Sequence, residues 1–254
     1  MLFLDFINPY FTYIFMFSVF LTLTYFLFFQ QEKVHRNKKK IIRVILILLI
    51  WTQFARYAGV FLKETLEWNI WIFHFRIDAF SLGSYLPFYI CRVSALVLLY
   101  YWITKDKRVE SFLFYWGSLG LAGVLFPNGP ISNIFNLDET FYIDHILLAL
   151  IPYYLLVYEG YKPTKKGMYI TTAIMFSILM IFIPINQFLD TIPSVGSTVD
   201  YFYVSDQSIV GDLFPGLPSY MFVVIHTFAA YLFFNLYYYI FRHKEYEIRE
   251  LVKE

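Results

Sequence analysis

Seven apolar stretches of membrane-spanning length divide this chain, and they constrain its fold more than any other feature. They run near Pro9–Phe29, Ile41–Phe61, Phe80–Thr104, Ser111–Phe126, Phe141–Glu159, Met168–Phe188 and Pro218–Phe241. A hydrocarbon core about 30 Å thick takes about 20 residues of helix to cross. Backbone in lipid must satisfy its own hydrogen bonds, so each stretch is predicted to be helical. The fourth is the shortest. Composition agrees: 59% of the 254 residues are hydrophobic and 15% are charged, against roughly a quarter charged in a soluble domain. The expected fold class is an all-α integral membrane protein, a seven-transmembrane-helix bundle, with residues 1–254 forming a single transmembrane domain.

The connections give an orientation. The segments Gln31–Lys40, Lys105–Arg108 and Tyr161–Gly167, with the tail from Arg242, hold 15 of the 20 Lys and Arg. Basic segments stay in the cytosol, so an odd number of helices leaves Met1 outside and the C-terminus cytosolic. The first stretch is too long for a signal-peptide core and no small-residue cleavage site follows it, so it is read as a retained helix. The tail from Arg242 reads as a charged helical extension. A net charge of +1 gives no field for nucleic acid. One cysteine, Cys91, excludes an intrachain disulfide framework. Two outer connections are long. Leu62–Ala79, with Trp68 and Trp71, is expected to form a helix lying in the interface. Leu189–Leu217, rich in Gly, Pro, Asp and Ser, is expected to be irregular, a lid or site wall. No internal repeat suggests an inverted-repeat transporter.

Polar side chains inside spans cost free energy and need a reason. Gln53 and Arg56 lie near the outer end of the second stretch, and Ser84, Cys91, Arg92 and Ser94 in the third. Asp144 and His145 open the fifth, Asn186 and Gln187 close the sixth, and His226 is two turns into the seventh. Most fall within about 15 Å of the outer surface, and the inner halves are nearly free of them. A polar pocket open to the outer leaflet would look like this. Each also has a plainer reading: Cys91 as a small apolar filler, Arg56 snorkelling to the interface, His145 and Asp144 facing water at a helix start, His226 as an interhelical hydrogen-bond partner.

Four phrases carry a resemblance. "LPFYICRVSALVLLYY" from Leu86, "FYWGSLGLAGVLFPN" from Phe114, "FYIDHILLAL" from Phe141, and "PINQFLD" followed by "DYFYVSD" and "FPGLPSYMF" are similar, in order and spacing, to segments of the YwaF-type bacterial membrane proteins. Animal relatives of that family are membrane acyltransferases that move fatty acyl chains between glycerophospholipids with a Cys–His pair. The resemblance implies Cys91 and His145 as that pair. Two positions depart from the pattern: Tyr89 stands where the motif has His, and Asp200 where it has Asn.

The residues are compatible with this chemistry. A thiolate is a strong nucleophile, but apolar burial would silence Cys91 unless a base and a cation favour ionisation. His145 can take the proton. Asp144 points about 100° away from its neighbour and is a poor orienter, so Asn186, Tyr89 and Tyr201 are the candidate orienting or oxyanion groups. Arg92 and Arg56 suit a lipid phosphate, and Pro87 is expected to kink the helix one turn above Cys91. The expected reaction moves an acyl chain from a phospholipid through a Cys91 thioester to a lipid hydroxyl or amine. No cofactor or metal is expected. The partners would be membrane phospholipids and a second copy of the chain, in a bacterial cell membrane. Two rival readings stand beside it. One is a transporter or lipid scramblase using the same pocket. The other is a metal-dependent hydrolase built on His145, His226 and Asp144 with His74 or Asp200. A structural, partner-binding membrane protein is a third.

Overall fold

The computed structural model describes residues 9–58, 61–62, 64–70, 73–77, 90–125, 141–192, 202 and 215–242. Every apolar stretch is mainly helical in its described part. Helix α1 covers Pro9–Phe29, α2 Gln31–Arg36 and α3 Lys38–Ala58. Strands β1 (Leu66–Ile70) and β2 (Phe73–Ile77) follow, then α4 (Ile90–Thr104) and a 3-10 turn at Lys107–Val109. Helices α5 (Glu110–Ser118), α6 (Gly120–Leu125), α7 (Phe141–Tyr158), α8 (Lys165–Asp190) and α9 (Ser219–Phe241) complete the order.

Helix α7 is the axis of the bundle. It packs against α1, α3, α4, α5 and α6, while α8 and α9 pack on each other and on α5. From Ile146 to Tyr158 nearly every side chain of α7 is buried. Lipid is as apolar as leucine, so what draws helices together in it is close packing and hydrogen bonding rather than escape from water. The sequence supplies the means. Gly117, Gly120 and Gly123 recur at every third position and face α7. A Cβ at Gly120 would stand 2.7 Å from the Ala149 backbone nitrogen and 2.9 Å from the His145 carbonyl oxygen. Around that seam lies an aromatic core in which Phe114, Tyr115, Trp116 and Phe234 are almost fully buried. Tyrosine hydroxyls tie the helix ends: Tyr158 donates to the Leu27 carbonyl at 3.0 Å and Tyr115 to the Thr164 carbonyl at 3.0 Å.

The outside of the bundle is apolar. Val224, Phe228, Leu232 and Leu236 form an exposed row along α9, and Ile170, Ile174 and Ile181 one along α8. Rows of this kind fit lipid rather than water. Helices α8 and α9 are each long and apolar enough to cross a membrane.

Two expectations are corrected. The segment after α3 is not an interfacial helix where it is described. It forms an antiparallel hairpin with Leu66 opposite Ile77, Trp68 opposite Phe75 and Ile70 opposite Phe73. The reason is in the letters: LEWNI and FHFRI alternate apolar and polar at period two, which suits a strand and not a helix. The fourth stretch is broken at Leu119 into α5 and α6. There the Leu119 N–H turns to the Trp116 carbonyl and the Ser118 hydroxyl to the Tyr115 carbonyl, three-residue bonds that tighten the chain and interrupt the α-helical ladder. Just outside the spans, polar contacts also form. Glu110 is buried at the opposite, lysine-rich end, where it accepts from the Tyr101 hydroxyl at 3.0 Å.

Candidate functional site

Cys91 is the second residue of α4 and His145 the fifth of α7. The two helices are packed neighbours. Their C-terminal ends share one cavity wall, with Tyr101 and Lys105 on one side and Glu159 on the other, so they run in the same direction. Trp102 meets Tyr154 edge-on at 6.1 Å between ring centres. Counting back from that level at 1.5 Å per residue, Cys91 is about 17 Å away and His145 about 14 Å, a height difference of about 3 Å. Adjoining helices lie about 8–10 Å apart. Nucleophile and base candidates therefore start from the same layer of neighbouring helices. Both side chains are half-buried.

The imidazole of His145 lies against a glycine. A Cβ built on Gly123 would overlap its Cδ2, so only the bare backbone of α6 leaves room for the ring. Asp144 turns elsewhere. It is fully buried, and its Oδ1 is 2.9 Å from the hydroxyl of the equally buried Thr52 on α3. The same hydroxyl is 2.9 Å from the Leu49 carbonyl, and Gln53 donates to it at 3.4 Å. Successive residues of a helix diverge by about 100°, and here they divide their work: Asp144 ties α7 to α3, while His145 faces α6. The Gln53 Oε1 is buried with no hydrogen-bond partner among the described residues. It offers an acceptor in this layer to a donor from water or a ligand.

The remaining predicted residues divide by position. Arg92 is half-buried and follows Cys91 on α4; Arg56 is in the last turn of α3. Asn186 is buried near the end of α8. Tyr89 and Tyr201 lie outside the described residues, as do Pro87 and Asp200. Next to Tyr201 in sequence, Phe202 is buried against Phe182 of α8, with ring centres 4.5 Å apart, and meets Trp116 of α5 at 6.5 Å. The long connection before α9 is thus anchored to the bundle at that point. His226 places its Nδ1 2.8 Å from the Phe222 carbonyl, one turn earlier in its own helix. Among the described residues no three His, Cys, Asp or Glu side chains are grouped to hold a metal ion.

Thr52 and Gly123 were not anticipated as parts of this layer. The three-residue glycine spacing was a usable signal for Gly123. Nothing in the sequence distinguishes Thr52 from other threonines in spans.

A helical bundle with an apolar exterior and a buried polar layer defines the class: a helical membrane protein. Residues 4–238 match the TMEM164 family, and the chain belongs to that family of transmembrane proteins. No curated protein and no solved structure matches it.

Proposed function

We propose that this chain is a multi-pass bacterial cell-membrane protein that exchanges fatty acyl chains between lipids through a thioester on Cys91. The orientation follows the basic segments: seven spans, N-terminus outside, C-terminus cytosolic. The observation that carries the reading is the common height of Cys91 and His145 on adjoining parallel helices, with the imidazole packed against Gly123. Their similarity to the Cys–His pair of the YwaF-type proteins and their animal acyltransferase relatives supports it.

The reaction balances in two halves. His145 takes the Cys91 proton, and the thiolate attacks the ester carbonyl of a phospholipid. The carbon–oxygen ester bond breaks, the leaving lysolipid oxygen takes the proton from His145, and the acyl chain is left on sulfur. In the second half His145 takes a proton from a lipid hydroxyl or amine, which attacks the thioester. The new ester or amide forms and the thiol returns with its proton. Arg92 and Arg56 would bind the phosphate of the lipid. Asn186, Tyr89 and Tyr201 would orient His145 or receive the oxyanion. Asp144 has a separate role, engaged with Thr52.

The test is transfer of a deuterated acyl chain from phosphatidylcholine to lysophosphatidylethanolamine in proteoliposomes. Wild type transfers the chain. Cys91→Ala and His145→Ala reduce transfer by at least about a hundredfold. Transfer surviving Cys91→Ala contradicts the thioester, and lipid movement across the bilayer without exchange would favour a scramblase.

A further inference from the structure

At the end of the bundle away from Cys91, a cavity of about 450 Å³ opens between α3, α4, the 3-10 turn and α7. That is the size of a small-ligand site. Four lysines line it, Lys38, Lys39, Lys105 and Lys107, with Glu110, Glu159, Tyr101 and Ile42. Both carboxylates are engaged. Glu159 takes the Lys38 ammonium at 3.2 Å and the Tyr154 hydroxyl at 2.7 Å, and Glu110 takes the Tyr101 hydroxyl. Four ammonium groups against two carboxylates leave two positive charges, and among the described residues Lys39, Lys105 and Lys107 have no ion pair.

Two further observations point to an anion. Lys105 follows the last residue of α4 with φ of +56°, a left-handed conformation that glycine adopts without strain; Gly160 does so just past α7 with φ of +66°. A lysine held there, its ammonium 5.2 Å from the Tyr101 ring centre, keeps a side chain where a helix end alone would favour none. Burial also lowers its pKa, which an anion beside it would oppose. Secondly, α3 opens with Lys38, Lys39 and Lys40 and no acid in its first turn, the reverse of what a helix dipole favours.

We propose that this cavity binds a phosphate monoester, whose two negative charges match the surplus. Basic pockets between membrane helices on the cytosolic side suit lipid headgroups. A lipid headgroup and a soluble phosphate ester offer the same chemistry, and the experiment separates them. Cys91 lies about 20 Å away along α4, so the site is distinct from the exchange layer.

Full-length protein is reconstituted in phosphatidylcholine nanodiscs with and without phosphatidic acid, and retained lipid is measured by native mass spectrometry. The double variant Lys105→Gly/Lys107→Gln is compared with Lys165→Gln/Lys166→Gln, which removes two charges from the same end outside the cavity. Retention of phosphatidic acid is expected to fall about thirtyfold in the first and to hold in the second. Glycine accepts the backbone at 105, so the melting temperature in phosphatidylcholine alone stays or rises; a fall would make Lys105 structural and overturn the proposal. If lipid retention is the same in all three proteins but glycerol 3-phosphate raises the melting temperature of wild type and not of the cavity variant, the site takes its phosphate from water. Equal losses in both double variants, or no response to either phosphate, contradict it.

Discussion

The contact between Gly123 and His145 sets how freely the imidazole can turn. A methyl group at 123 would occupy the ring's own volume. Gly123→Ala is therefore expected to displace the ring, to cost about 1–3 kcal/mol of stability as overpacking, and to lower acyl transfer about tenfold or more. Thermal unfolding in detergent and the transfer assay check both; an unchanged variant would mean the ring has another seat. Thr52 supplies a second case. Thr52→Val keeps the shape but removes a hydroxyl from a fully buried carboxyl. The expected loss is about 1–3 kcal/mol, with Thr52→Ser recovering most of it. At this scale the sequence shows chemistry better than geometry. Cys91 and His145 stand out because thiol and imidazole are rare in spans. That Asp144 is tied to a threonine, and that a glycine seats the histidine, depends on which helix faces are opposed, and periodicity does not encode that.

Elements were legible where one period dominates. Long apolar runs gave α1, α3, α7, α8 and α9 with ends close to those observed. The hairpin shows the opposite case. Its aromatic residues suggested the membrane interface, while the period-two alternation that makes strands lay in the same ten letters. The break at Leu119 was hidden because the glycines that weaken the helix also bring it against α7. Element ends are pinned by polar contacts, of which Glu159 is the clearest. It accepts from Lys38 at the start of α3 and from Tyr154 on α7, with about a fifth of its side chain exposed. Glu159→Ala leaves both donors without it and is expected to cost about 1–3 kcal/mol. Glu159→Gln, which still accepts hydrogen bonds, should recover part of that in the same unfolding measurement.

For the whole molecule, the burial pattern is that of a bundle solvated by lipid. The most buried helix is α7, and apolar rows face outward on α8 and α9. The basic ends of α3 and α4 share a cavity, and Cys91 and His145 lie toward the other end of the bundle. The proposed orientation predicts how an impermeant maleimide labels intact cells carrying single cysteines in a Cys91→Ala background. Glu64→Cys, in the connection to the hairpin, is expected to react, and Lys166→Cys, at the start of α8, only after the membrane is opened. The reverse pattern would invert the topology and put Cys91 and His145 in the inner half of the membrane. The proposed Cys91 thioester is tested most directly by intact mass spectrometry of protein purified with its native lipid. Wild type is expected to carry a fatty-acyl mass that neutral hydroxylamine removes and that Cys91→Ala and His145→Ala lack. A wild-type chain that stays unacylated while it turns over labelled lipid would rule out a thioester on Cys91.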